Sequence, residues 1–175
     1  EGWTRAGSPF MLFFIFEALA KQGEYQRILE LTRTGWGMML KHGSTTCWET
    51  FPGFWDSLWT RSYCHAWSAG PAYFLSAYQL GVRPQAPGFK KALIAPELCD
   101  LTWCRGQVPT PFGEIQVAWQ NEKDFFLEIN LPKEVEAEVI LPIASTEYEV
   151  TDENKKNLYV LDGRWHLELP KGKQC

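Results

Sequence analysis

The sequence is poor in positive charge. Its 17 Lys and Arg are outnumbered by 21 Asp and Glu, giving a net charge of −4, and no Lys/Arg cluster exceeds a pair. A nucleic-acid binder needs a basic face to displace counterions from phosphates, so no nucleic-acid partner is expected. Long apolar runs are also missing. The longest, residues 9–16, falls far short of the roughly 20 residues that span a bilayer, and it lacks the basic flank and small-residue cleavage site of a signal peptide. No membrane partner is expected. The five cysteines (Cys47, Cys64, Cys99, Cys104, Cys175) are an odd number at irregular spacing. They form neither a paired disulfide framework nor a zinc pattern and read as reduced, mostly structural thiols. With no Gly-rich phosphate loop and no metal-ligand cluster, no cofactor is expected. An initiating Met is absent as well, and Glu1 already stands close to a helical pattern. The sequence therefore reads as a piece cut from something longer.

Aromatic residues are abundant. They make up 15% of the chain, with nine Trp, which suits a protein that stacks rings on a ligand. They concentrate in residues 45–69, TTCWETFPGFWDSLWTRSYCHAWSA, where Trp48, Trp55, Trp59 and Trp67 surround Glu49 and His65. The C–H faces of a sugar stack on indole rings, and a few polar groups then fix its orientation. A pocket for a neutral, hydroxyl-rich ligand is the first hypothesis.

The first half of the chain has helical periodicity. Ser8-Pro9 supplies an N-cap and a proline at N1, and Gly23 supplies the stop, predicting a helix over residues 8–22. That helix is apolar nearly all round and should be buried on most faces. A second helix over residues 24–41 carries Tyr25, Ile28, Leu29, Thr32, Trp36, Met39 and Leu40 on one stripe and ends before Gly43. A third, over residues 68–80, is expected to take Ser68 as its cap. Beyond a Pro/Gly-rich connection at residues 81–88 the period becomes two. Alternating segments at 114–119, 125–131, 137–141, 157–161 and 165–169 predict a β-sandwich from about residue 86 onward.

Glu49 lies between Trp48 and Thr50 on an irregular segment, where an indole neighbour that excludes water makes a carboxylate more basic and suits it to act as a general base. A helix cap or surface acid is the alternative. His65 could hydrogen-bond a sugar hydroxyl or serve as a core or cap histidine. Asp56 is a second acid in the stretch, although Asp-Ser after aromatics also suits a turn. Ser62 and His65 lack a third partner, which argues against a serine hydrolase. His42 and His166 read as exposed helix-end and strand residues.

Five segments together resemble the C-terminal portion of a bacterial α-L-rhamnosidase of glycoside hydrolase family 78: GSTTCWE (43–49), SYCHAWSA (62–69), LGVRP (80–84), PGFKKALIAP (87–96) and PTPFGEIQVAW (109–119). They span most of the chain in the family's order. The resemblance implies the last helices of an (α/α)6 toroid over residues 1–82, followed by a C-terminal antiparallel β-sandwich over residues 83–175. It also implies an inverting hydrolase that releases terminal α-L-rhamnose from a rhamnose-containing glycoside or polysaccharide. On this resemblance Glu49 matches the general base and His65 a residue lining the rhamnose pocket; Trp48 and Trp55, from the aromatic stretch itself, are expected as further substrate-binding residues. The acid that an inverting enzyme also needs lies, in the family, in an upstream motif that residues 1–175 do not match. The expected partner is therefore the upstream part of the same protein. The other readings are an α/α-toroid glycosidase for a different sugar and a carbohydrate-binding or structural fragment without activity.

Overall fold

The computed structural model describes residues 7–52, 60–142 and 158–172. It divides into two compact units, residues 1–74 and 75–175.

The first unit is helical. Helix α1 spans Pro9–Lys21, and the Ser8 hydroxyl accepts the Phe10 N–H at 3.2 Å, satisfying one of the orphan amides of the first turn. Gly23 (φ 75°) closes the helix, with Gly23 N–H donating to the Ala20 carbonyl and Glu24 N–H to Leu19. This pair of bonds is a Schellman motif, which an L side chain at Gly23 would strain. Helix α2 spans Tyr25–Lys41 and ends in the same way, with Gly43 N–H donating to Leu40 and Ser44 N–H to Met39. A short 3-10 turn, Ala66–Ser68, leads into helix α3, Gly70–Phe74.

Helix α1 departs from the expectation of burial on most faces. Leu12, Phe16 and Ala20 are buried, while Phe10, Met11, Phe14 and Ile15 are exposed. One helical hairpin and the short α3 cover a single face, on which Phe16 packs edge-on to Phe74 and tilted against Trp36. Leu40, expected on the inner stripe of α2, is likewise exposed.

The third helix also differs. Ser68 does not cap it: its hydroxyl is fully buried and has no hydrogen-bond partner among the described residues. After α3 the chain widens into a π-helical turn, Leu75–Gln79, in which Leu80 N–H reaches the Leu75 carbonyl. Side chains from beyond the turn take two of its carbonyls: Arg83 donates to Ala77 and the Trp119 indole to Gln79 at 2.8 Å. These carbonyls are therefore satisfied from outside the helix.

The second unit is a β-sandwich. Strands β1 (Val82–Pro84), β2 (Lys91–Ile94), β6 (Glu136–Ile140), β8 (Arg164–Leu169) and β7 (Leu158–Leu161) form a five-stranded sheet in the order β1-β2-β6-β8-β7. Strands β3 (Trp103–Thr110), β4 (Gly113–Asn121) and β5 (Phe125–Asn130) form a three-stranded sheet. Pairing is antiparallel except between β2 and β6, which run parallel with Lys91 opposite Glu136. The chain leaves the larger sheet after β2, builds the smaller one and returns in the same direction. Ala92, Ile94, Ala137, Val139, Leu167 and Leu169 of one sheet meet Ile115, Val117, Trp119 and Ile129 of the other in a continuous core.

His166 is not an exposed strand residue. It is 6% exposed, its Nδ1 lies 2.9 Å from the Glu138 carboxylate, and Tyr159 stacks on its ring. The cross-strand neighbours of His166 bury it on the outer side of the sheet.

Candidate active site

Glu49 and His65 are sixteen positions apart in the sequence, and two irregular segments of the helical unit, hydrogen-bonded to each other, bring them together. The His65 N–H donates to the Cys47 carbonyl at 2.8 Å, and the Glu49 N–H to the Ser62 carbonyl at 2.9 Å. The Thr46 hydroxyl donates to the Tyr63 carbonyl.

Three contacts fasten this pair of segments to the helices. The Ser8 hydroxyl, already the cap of α1, donates to the Glu49 carbonyl at 3.4 Å. The Phe51 N–H donates to the Gly7 carbonyl at 3.3 Å. The Phe51 ring meets Trp36 edge-on at 5.3 Å and lies against α2 at Gly35.

The Glu49 carboxylate and the His65 Nδ1 stand 3.9 Å apart, with side chains 20% and 27% exposed. That distance allows an ion pair when the imidazole is protonated but exceeds a direct hydrogen bond. Each group therefore keeps hydrogen-bonding capacity for a third molecule. The carboxylate can accept a proton, and the imidazole can donate to or accept from a hydroxyl.

The aromatic residues divide into two sets. Trp48 is 4% exposed, with Tyr63 edge-on at 5.2 Å, so its indole lies within the unit. Trp67 is 47% exposed, its ring centroid 4.0 Å from that of His65 and 5.2 Å from that of Phe10. Among the described residues Trp67 is thus an accessible indole beside His65. The sequence marks Trp67 only as a neighbour of His65; the 3-10 turn Ala66–Ser68 that follows the histidine is what brings the two rings together. Trp55 and Asp56 lie outside the described residues. The Ser62 hydroxyl donates to the Cys64 carbonyl at 3.1 Å, an engagement away from His65.

Among the described residues no group of three or more His, Cys, Asp and Glu could hold a metal ion, and no helix is long and apolar enough to cross a membrane. Among the described residues Cys47, Cys64, Cys99 and Cys104 form no disulfide.

Residues 2–78 match the family described as the bacterial alpha-L-rhamnosidase 6 hairpin glycosidase domain, and residues 81–156 match the bacterial alpha-L-rhamnosidase C-terminal domain. A curated alpha-L-rhamnosidase of Alteromonas sp. (strain LOR) is 31% identical over 144 residues, covering 78% of this chain and 16% of its own length. Among solved structures, a GH78 family rhamnosidase of Bacillus sp. GL1 is 45% identical, with a TM-score of 0.73 over 78% of this chain and 15% of its own. An alpha-L-rhamnosidase from Dictyoglumus thermophilum shares the fold at 22% identity, with a TM-score of 0.74 over 91% of this chain and 19% of its own. The chain thus spans less than a fifth of the length of each of these relatives.

Proposed function

The chain belongs to the bacterial α-L-rhamnosidases of glycoside hydrolase family 78, and from that premise we propose that it forms the C-terminal part of an inverting enzyme that releases terminal α-L-rhamnose from glycosides. In this reading residues 1–82 contribute the last helices of a six-hairpin toroid and residues 83–175 a β-sandwich domain. The exposed side of α1, with Phe10, Met11, Phe14 and Ile15, packs on the toroid helices that the upstream chain supplies.

Glu49 is the general base. It takes a proton from a water molecule whose oxygen attacks the anomeric carbon of the rhamnoside. The bond from that carbon to the glycosidic oxygen breaks, and the leaving oxygen takes a proton from a carboxylic acid in the upstream part of the protein. The incoming water needs a separation of about 6.5–9.5 Å between the two carboxyl groups, so the acid belongs across a cleft rather than beside Glu49. His65 hydrogen-bonds a sugar hydroxyl, and Trp67 offers an accessible ring face beside it. Trp55 is assigned to the aromatic wall, and Trp48 supports that wall from within the unit.

The observation that carries this reading is the pairing of segments that holds the Glu49 carboxylate 3.9 Å from His65. The test is hydrolysis of an aryl α-L-rhamnoside by the full-length protein. Loss of a positioned base costs about 10²–10⁴-fold in rate, so Glu49→Gln should lose turnover on that scale, and NMR of the wild-type reaction should show β-L-rhamnose as the first product. Near-normal turnover by the variant removes Glu49 from the role of base, and an α-anomer as first product removes inversion. Residues 1–175 alone hold only the base half of the site and should hydrolyse no rhamnoside.

A further inference from the structure

Behind Glu49 lies a pair of threonines. Thr50 and Thr60 are 5% and 4% exposed. The Thr60 hydroxyl oxygen accepts the Thr50 N–H at 3.2 Å and the Thr50 hydroxyl at 3.2 Å. It donates its own proton to the Ser62 carbonyl at 3.0 Å. That same carbonyl accepts the Glu49 N–H at 2.9 Å.

A hydroxyl has one proton and two lone pairs, and Thr60 commits all three. The arrangement is directional. The residue after Glu49 is held through its amide and its side chain, and the carbonyl that holds Glu49 is itself held by Thr60. Both threonines are buried, so no solvent stands in for a lost partner.

We propose that Thr60 is a positioning residue for the reaction, fixing the Glu49 backbone through the shared Ser62 carbonyl and the adjacent Thr50. The inference rests on the reading of Glu49 as the base. Thr60 touches neither the carboxylate nor the sugar. Its hydroxyl sets where the carboxylate stands relative to the attacking water, a step in which a displacement of about 1 Å costs up to about 10²-fold in rate. Binding of rhamnose, which draws on His65 and Trp67, does not pass through this bond. The distinguishing signature is therefore a loss in kcat with little change in KM.

The experiment compares Thr60→Val, which keeps the shape and removes the hydroxyl, with Thr60→Ser, which keeps the hydroxyl, in the full-length protein on an aryl α-L-rhamnoside. Thr60→Val should lower kcat by roughly 10- to 100-fold with KM within about threefold, and Thr60→Ser should restore kcat to within about threefold of wild type. Thr60→Ala gives the same split should Thr60→Val not accumulate as folded protein. Glu49→Gln, run alongside, separates the two claims. Turnover retained by Glu49→Gln overturns the reading of the base and the inference with it. An inactive Glu49→Gln beside a Thr60→Val of unchanged kcat overturns the inference alone. A loss of kcat that Thr60→Ser does not restore also overturns it.

Discussion

Gly35 and Phe51 share a space that only a glycine leaves open: a Cβ built on Gly35 would stand 2.5 Å from the Phe51 ring. Gly35 lies inside α2, where glycine costs about 1 kcal/mol relative to alanine, yet its bare backbone lets the ring seat itself two residues beyond Glu49. Gly35→Ala should reverse the usual preference, because overpacking of about 1–3 kcal/mol outweighs the gain in helix propensity. A thermal melt of the full-length protein should show the loss, and kcat should fall as the segment carrying Glu49 shifts. Gly35→Ala combined with Phe51→Leu should recover part of both, since the smaller side chain returns the space.

Trp67 gives a prediction of the opposite kind, on binding rather than rate. Ring stacking contributes about 0.5–1.5 kcal/mol beyond area burial, so Trp67→Ala should raise KM for an aryl α-L-rhamnoside roughly three- to tenfold. Trp67→Phe should fall between the two. An unchanged KM for Trp67→Ala would remove the ring from the proposed sugar contact.

In the β-sandwich the Trp119 indole, 1% exposed, reaches the Gln79 carbonyl at 2.8 Å. Trp119→Phe leaves that carbonyl without its donor and removes buried volume. The two effects together should cost about 2–4 kcal/mol. Faster hydrogen exchange at the amides of β4 should report it, with little change in the helical unit.

Glu138 makes the sandwich sensitive to acid. The Gln85 amide hydrogen bond, aided by His166 and Lys91, holds its carboxyl below the ordinary value of 4.5 against the opposing effect of burial. A depressed folded pKa means that the unfolded chain binds the proton more readily. The contribution is thus fully present above about 4.5 and is lost as the pH falls through the folded value. Exchange of the β6 and β8 amides should be slower in wild type than in Glu138→Gln at neutral pH, and the difference should shrink below the carboxylate range. Glu97 acts in the opposite sense: burial raises its pKa against the pull of Arg164 and Arg83, so protonation of this group stabilises the fold.

The features legible in the sequence were those set by local chemistry. Ser8, Pro9, Gly23 and Gly43 mark the ends of the two helices because caps and left-handed turns need those residue types. The alternation of β4, β5, β6 and β8 follows from one face of each strand meeting the core. Strand β3 escaped because Arg105, Gly106, Gln107 and Pro109 break any apolar alternation; its strand geometry comes from pairing with β4 along its length. The π-helical turn escaped because the groups that take its carbonyls, Arg83 and Trp119, come from later in the chain. At the candidate site, Glu49 and His65 stood out as ionisable groups among aromatics. The burial of Trp48 and the exposure of Trp67 did not, because indoles in similar local sequence differ only in what folds over them. The Thr50–Thr60 pair was equally silent, since a threonine gives no sign in sequence of which donors its oxygen will meet.

The parallel pairing of β2 with β6 carries a consequence for the order of assembly. Strands β3, β4 and β5 are joined by short turns and can pair as soon as they are made, each closing a small loop. The five-stranded sheet cannot close until that whole excursion has been completed, because Lys91 must find Glu136 across it. Closing such a long loop is the slow part of a fold built on distant contacts. The smaller sheet is accordingly expected to form before the larger one closes, with Ile115, Val117 and Trp119 as the apolar surface that Val139 and Leu167 then cover.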